Sequence, residues 1–148
     1  MIKILFICHG NICRSPMAEF MLKNIAMKYG LSSNLEISSA ATSSEELGND
    51  MYYPAKKILR DNGIPFEPRC ARKVCLQDYE YYDKIIGMDN NNIRNLKNFF
   101  GGDPQQKISM LLDRPVADPW YSGDFEATYN DLLEGIEKLI AELSHSLC

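Results

Sequence analysis

Short apolar runs alternate with amphipathic stretches along this chain of 148 residues. Residues 2–7 are apolar except for Lys3, a pattern typical of a strand that is buried on both faces of a sheet. Three further strands are predicted over residues 35–41, 84–88 and 108–112. Short strands that are separated by helical segments indicate βαβ units and a parallel sheet.

Helical periodicity occupies the segments between these strands. A first helix is predicted to open at Ser15 and Pro16 and to end at Gly30, and others cover residues 54–61 and 90–100. A C-terminal amphipathic helix is marked by apolar residues at helical spacing: Leu132, Ile136, Leu139, Ile140 and Leu143. No repeat or linker divides the chain. We therefore expect an α/β fold, a single-domain three-layer sandwich over residues 1–148 in which helices flank a four-stranded parallel sheet.

Composition narrows the class of protein. The net charge is -4 and the sequence pI is about 5.2, which argues against a nucleic-acid partner. The apolar N-terminus lacks the parts of a signal peptide, and no apolar run approaches bilayer length, so no membrane partner is expected. These features predict a cytoplasmic protein.

The cysteines and histidines do not indicate a metal or a disulfide framework. Five cysteines at irregular spacing are atypical of a secreted, disulfide-bonded domain. Only His9 and His145 are present, and the chain has no pair of C-x2-C units. We predict neither a metal site nor a cofactor.

Two loops lie at the carboxyl ends of predicted strands, residues 8–15 after the first strand and residues 113–124 after the fourth. The candidate chemistry lies in residues 8–15, which are called the Cys8 loop below. Ligands of parallel sheets bind at the carboxyl ends of the strands, and Arg14 would stand there at a helix N-terminus, which attracts anions. Gly10 and Asn11 tolerate left-handed backbone, so the loop N–H groups could converge on an anion. Arg14 can hold two phosphate oxygens, and a positive field favours the nucleophilic thiolate form of a cysteine such as Cys8. Ser15 could donate a hydrogen bond to that thiolate.

Residues 8–16, Cys-His-Gly-Asn-Ile-Cys-Arg-Ser-Pro, resemble the phosphate-binding loop of the low-molecular-weight protein tyrosine phosphatase family. The similarity continues in order through residues 37–43, 87–89 and 118–121 and so covers nearly the whole chain. The resemblance implies a cysteinyl-phosphate intermediate without a metal, with Cys8 as nucleophile, Arg14 as phosphate ligand and Asp118 as general acid. It also assigns substrate-binding positions to His9, Gly10, Asn11, Ile12, Cys13, Ser15, Trp120 and Tyr121.

Some of these assignments depend on the resemblance alone. An Asp-Pro pair such as Asp118-Pro119 is more often a turn than a catalytic pair. Trp120 and Tyr121 could wall a cleft or simply cover the core. The family also implies a reversible disulfide between Cys8 and Cys13, whereas a passive role for Cys13 is equally compatible with the sequence.

Two positions depart from the family pattern. Arg69 stands where a histidine usually helps to hold the loop asparagine, which leaves the support of Asn11 open. Glu45 and Glu46 follow the second strand where an aromatic residue is common, and they would favour basic peptides unless they merely form a solvated loop. His9 is also an unusual choice beside the nucleophile.

Several alternative functions remain open at this point. A protein-arginine phosphatase shares the motif but tends to have threonine in place of Ile12. An arsenate reductase would use Cys70 and Cys75 as a redox relay. A sugar-transport phosphocarrier would not need Arg14, and a phosphotyrosine-binding module would not need both Cys8 and Asp118. The favoured function is hydrolysis of protein phosphotyrosine by a monomer or weak dimer that phosphate-like oxyanions inhibit.

Overall fold

A computed structural model describes residues 1–147, and for Leu147 the backbone alone. Its sheet contains four parallel strands, which are listed in chain order: β1 (Ile2–Cys8), β2 (Leu35–Ala41), β3 (Lys84–Gly87) and β4 (Ile108–Met110). Their order across the sheet is β2-β1-β3-β4, with β1 in parallel register against both β2 and β3. This confirms the predicted α/β fold with a four-stranded parallel sheet, although β3 and β4 end earlier than the apolar pattern predicted.

Six α-helices accompany the sheet over the described residues: α1 (Arg14–Lys28), α2 (Tyr53–Asp61), α3 (Gln77–Tyr81), α4 (Asn90–Phe100), α5 (Pro119–Ser122) and α6 (Phe125–Leu147). A one-turn 3₁₀-helix (Ser32–Asn34) precedes β2. The sequence pattern did not predict α3 and α5, because helices of five and four residues are too short to show periodicity. The short α5 lies in the segment that was predicted to be a loop after β4. None of the described helices is long and apolar enough to cross a membrane.

Successive side chains of β1 point to opposite faces of the sheet, and helices pack on both faces, which gives the fold its three layers. Ile4, Phe6 and Cys8 face the larger core cluster, which includes residues of α1 and α6. Leu5 and Ile7 face the opposite cluster, which includes residues of α3 and α4. Burial on both faces explains the continuous apolar run of β1 and carries Cys8 to the carboxyl edge of the sheet.

Helix α6 fixes the chain that follows β4. The absence of a side chain at Gly135 lets Leu111 pack directly on the helix, since a Cβ there would clash with Leu111. Two side chains of α6 then hold the backbone of Ala117: Thr128 Oγ1 donates to its carbonyl oxygen (2.8 Å) and Asp131 Oδ2 accepts from its N–H (3.0 Å). These contacts set the position of the next residue, Asp118.

Candidate active site

A cleft of about 520 Å³ opens at the carboxyl edge of the sheet. The Cys8 loop, the segment after β2, the first turns of α4 and residues 118–121 line it. Of the residues singled out from sequence, these line the cleft: Cys8, His9, Gly10, Ile12, Cys13, Arg14, Asp118, Trp120 and Tyr121. Asn11 and Ser15 lie behind this surface, fully buried.

The loop directs hydrogen bonds at the sulfur of Cys8. Asn11 has a left-handed backbone (φ 60°), and its N–H donates to Cys8 Sγ at 3.3 Å. Ser15 Oγ lies 3.0 Å from the same sulfur. Because Asn11 Nδ2 donates to Ser15 Oγ at 2.8 Å, the Ser15 hydroxyl proton is free to point at Cys8. The arrangement stabilises negative charge on the sulfur.

The Asn11 side chain is the centre of a buried hydrogen-bond network. Its Nδ2 also donates to Ser39 Oγ (2.9 Å), and Ser39 donates in turn to Glu19 Oε1 (2.7 Å). Its Oδ1 accepts from the Arg72 backbone N–H (3.2 Å). A side chain with donors and acceptor all engaged holds the strained left-handed residue in place.

Arg69 provides the support for Asn11 that the departure from the family pattern left open. Its guanidinium donates to Asn11 Oδ1, and its backbone N–H donates to Asp50 Oδ1 at 3.3 Å. Burial lowers the pKa of Arg69, and the negative charges of Glu19 and Asp50 offset part of that effect. Arg69 therefore contacts the buried side of the Cys8 loop.

Arg14 is almost fully buried and is held by carboxylates. Its Nη1 lies 2.9 Å from Asp89 Oδ2, and its Nη2 lies 3.4 Å from Asp118 Oδ2. Burial alone would lower the pKa of Arg14, but the nearby Cys8, Asp118 and Asp89 raise it overall. The guanidinium is thus a fixed positive charge, oriented by Asp89, at the base of the cleft.

Asp118 and the aromatic residues form the wall opposite the Cys8 loop. Asp118 caps the short helix α5, because its Oδ1 accepts from the Trp120 N–H at 3.1 Å, and its side chain stays 31% exposed. The Trp120 ring packs on Tyr52, with ring centroids 5.2 Å apart. Tyr52 also donates its backbone N–H to the Ile12 carbonyl (2.8 Å), so it joins the wall to the loop. Tyr121 is 88% exposed at the rim.

The cysteines fall into two environments. Cys13 is buried beside the cleft, and burial, followed by the negative Cys8 and Asp118, raises the pKa of Cys13 to about 12. It is therefore a neutral thiol near pH 7. Cys70 and Cys75 are exposed, and both are free thiols. Over residues 1–147, no group of His, Cys, Asp or Glu side chains is arranged to hold a metal ion.

Sequence reasoning missed several residues that build the site. Asp89, which orients Arg14, lies two residues after the end of β3, so the rule that sites lie at the carboxyl ends of parallel strands could have identified it. Ser39 and Glu19 could not be identified from the sequence, because their connection to Asn11 joins separate segments of the chain. Tyr52 could not be identified from the sequence either, since a single aromatic residue before a helix forms no recognisable motif.

Comparison with known proteins identifies the family. The model of the low molecular weight phosphotyrosine protein phosphatase family matches residues 3–147. The chain belongs to that family, whose members are enzymes that hydrolyse phosphoric monoesters.

Individual relatives agree with this assignment. The low molecular weight protein-tyrosine-phosphatase YfkJ of Bacillus subtilis is 39% identical, and the match covers 97% of this chain and 96% of YfkJ. The crystal structure of YfkJ superposes with a TM-score of 0.95 over 99% of this chain and 96% of that one. The human low molecular weight phosphotyrosine protein phosphatase is 33% identical, with 85% of each chain covered. A Drosophila arginine phosphatase structure is 30% identical, with a TM-score of 0.87 over 96% of this chain and 98% of that one.

Removal of the Arg69 guanidinium should slow catalysis. Hydrogen bonds to charged groups contribute about 1.5–3 kcal/mol, so Arg69→Ala is expected to lower kcat about 10- to 100-fold, because Asn11 loses one of its restraints. KM should change little, since Arg69 does not line the cleft. Steady-state kinetics of Arg69→Ala, beside Arg60→Ala as a matched change on the exposed face of α2, measures both constants.

Substitution of Arg69 by histidine tests whether Arg69 acts through its positive charge or through its hydrogen bond alone. If the positive charge contributes, the activity of Arg69→His should fall relative to the wild type as pH rises through about 6.5, the usual pKa of histidine. Equal kcat for Arg69→Ala and the wild type would show that Arg69 does not position the loop.

Proposed function

We propose that this protein hydrolyses phosphotyrosine in proteins through a cysteinyl-phosphate intermediate. The observation that carries the proposal is that three groups meet in one cleft: the hydrogen-bonded Cys8 sulfur, the buried Arg14 guanidinium and the Asp118 carboxylate. Asp118 Oδ2 lies 3.4 Å from Arg14 Nη2. Cys8 is the nucleophile, Arg14 binds phosphate and Asp118 is the general acid and base. This constellation fits in-line displacement at phosphorus, with Cys8 attacking as the thiolate and the protonated Asp118 on the opposite side of the reacting group.

In the first step the phosphoryl group leaves tyrosine for Cys8. The loop N–H groups and Arg14 neutralise the phosphate oxygens, which requires Arg14 to exchange its contact with Asp118 for one with the substrate. An S–P bond forms while the bond from phosphorus to the phenolic oxygen breaks. The proton carried by Asp118 passes to that oxygen, so tyrosine leaves as a neutral phenol.

In the second step water releases phosphate. Asp118, now a carboxylate, takes a proton from a water molecule whose oxygen bonds to phosphorus. The S–P bond breaks and its electron pair returns to Cys8. The Ser15 hydroxyl and the Asn11 N–H stabilise the departing thiolate by hydrogen bonds, at the contacts already present.

The part of the cleft beside the proposed phosphate site, the Cys8 loop, favours an aromatic ring. Ile12 is an apolar, branched residue of the Cys8 loop, and Trp120 faces the cleft from the other wall, braced by Tyr52. A flat phenyl group fits between such surfaces better than a charged guanidinium, which needs polar partners. His9, Gly10 and Cys13 complete the loop surface, and Tyr121 borders the entrance.

The remaining features of the proposal follow from this site. Phosphate-like oxyanions should inhibit by occupying the Cys8 loop, and the partners are phosphotyrosine proteins rather than nucleic acid or membrane. We propose one phosphatase domain over residues 1–148, acting without a cofactor as a monomer or weak dimer. A nucleophilic thiol must stay reduced, which suits the cytoplasm.

The test is kcat/KM on three peptides of one sequence that carry phosphotyrosine, phosphoarginine or phosphoserine. Phosphotyrosine should be the preferred substrate, because the ring fills the space beside Ile12 and Trp120. Ile12→Thr, beside Ile12→Val as the control that keeps an apolar branched side chain, should shift preference toward phosphoarginine. Preference of the wild type for phosphoarginine would contradict the substrate assignment, and activity only as an arsenate reductase would contradict the reaction class.

A further inference from the structure

The entrance of the cleft has opposite charges on its two sides. Glu45 and Glu46 line it from the segment after β2, and Arg94 lines it from α4, which follows β3. Since β2 and β3 lie on either side of β1, these groups flank the Cys8 loop from opposite directions. A peptide that crosses the entrance along this line meets carboxylates on one side of phosphotyrosine and a guanidinium on the other.

The charges on both sides are available to a substrate. The Glu45 side chain is 68% exposed, and because Glu46 adds a second carboxylate, the one contact with the His9 ring (2.9 Å) does not neutralise this side of the entrance. Glu46 accepts from the neutral Asn49 amide at 2.7 Å. Arg94 is exposed, and its guanidinium donates to the neutral Asn91 side chain, which does not compensate its charge.

We propose that Glu45, Glu46 and Arg94 select substrates whose phosphotyrosine lies between a basic and an acidic side chain. The basic side chain would lie on the β2 side against the two glutamates, and the acidic one on the β3 side against Arg94. The inference rests on the proposed phosphotyrosine phosphatase function. It assigns the specificity to the charged side chains at the entrance, whereas the Cys8 loop recognises only the phosphate and the ring.

The expected size of the effect follows from the exposure of these groups. Exposed ion pairs contribute little each, so one matched charge should change kcat/KM about 1.5- to 5-fold. Two matched charges together should reach about 10-fold between the best and worst peptides. Since salt screens exposed charges, the preference should shrink as ionic strength rises.

The experiment uses four phosphotyrosine peptides of equal length with Lys or Glu on each side of the phosphorylated residue. Each kcat/KM is divided by the value for free phosphotyrosine with the same enzyme, so changes in folding or chemistry cancel. The wild type should prefer one of the two mixed-charge peptides over the other, because the entrance is asymmetric. The double variant Glu45→Lys/Arg94→Glu should reverse that order, and Glu142→Lys on the exposed face of α6 should leave it unchanged.

The outcomes separate this inference from the proposed function. Equal normalised values for the two mixed-charge peptides, or an order that the double variant does not reverse, would overturn the inference. Loss of the preference at high salt with a retained rate on free phosphotyrosine would support it. A wild type that does not hydrolyse free phosphotyrosine or any of the four peptides would instead contradict the proposed function.

Discussion

Replacement of Cys8 by serine is expected to abolish turnover while leaving the binding of inorganic phosphate intact. A serine hydroxyl keeps its proton at neutral pH and is a far weaker nucleophile than a cysteine sulfur, which in this site lies within hydrogen-bonding distance of the Asn11 N–H and the Ser15 hydroxyl. The loop N–H groups and Arg14 remain in place, so the anion can still bind. Steady-state assays and calorimetric titration with phosphate measure the two properties separately.

A second cysteine variant serves as the control for this result. Cys75 is an exposed thiol outside the lining of the cleft, so Cys75→Ser should retain full activity. Measurable turnover by Cys8→Ser, in a preparation free of wild-type enzyme, would refute the assignment of Cys8 as nucleophile. Loss of both turnover and phosphate binding would show that even the isosteric serine disrupts the loop, and phosphate binding by Cys8→Ala would then show whether the loop binds the anion when the γ atom is absent.

Replacement of Asp118 by alanine should produce the second large effect, one that depends on the leaving group. Positioned general acids contribute about 10²–10⁴-fold, so kcat on phosphotyrosine should fall by that amount. An aryl ester with a much better leaving group needs little protonation, and its first step should be far less affected. Parallel measurements on both esters show whether the loss follows the basicity of the leaving oxygen.

Asp113→Ala is the matched control for this prediction. Asp113 is an exposed carboxylate in the same segment between β4 and α5, and it does not line the cleft, so its removal should leave both rates unchanged. Because Asp118 also contacts Arg14, the alanine variant should bind phosphate at least as well as the wild type. An equal loss on the two esters at the first step would argue against protonation of the leaving group.

The Cys8 loop is held in place by side chains that do not line the cleft. The chain of contacts from Cys8 through Ser15 and Asn11 to Ser39 and Glu19 is hydrogen-bonded at each step, and it is buried as far as Ser39. Such a network holds dipoles in position before the substrate arrives, so little reorganisation is needed in the transition state. This explains why Asn11, behind the cleft surface, is as important to the geometry as the residues that line it.

The first strand, the Cys8 loop and the start of α1 could be predicted from the sequence because their signals are local. A continuous apolar run defines a buried strand, and glycine, asparagine and proline mark the turn and the helix start. The carboxyl-edge rule for parallel sheets then placed residues 113–124 beside the loop. The structure agrees on each of these elements, and it adds the short helix α5 within that segment.

The supporting contacts could not be predicted, because they join segments that are distant in the chain. Arg69 and Asn11 are 58 residues apart, and Arg14 and Asp89 are 75 residues apart. No periodicity or composition records which side chains will meet after folding. Arg69 is an example: the sequence left the support of Asn11 open, and the structure shows the Arg69 guanidinium in contact with the Asn11 side chain.

The most direct test of the central claim is to trap the intermediate on Cys8. The Asp118→Ala variant should form it readily from an aryl phosphate with a good leaving group but hydrolyse it slowly, so a rapid denaturing quench should capture it. Mass spectrometry of the digested protein should then find one phosphoryl group on the peptide that contains Cys8, and none in Cys8→Ser/Asp118→Ala. A burst of released phenol with the phosphoryl group on another residue, or with no phosphorylated peptide at all, would contradict the mechanism.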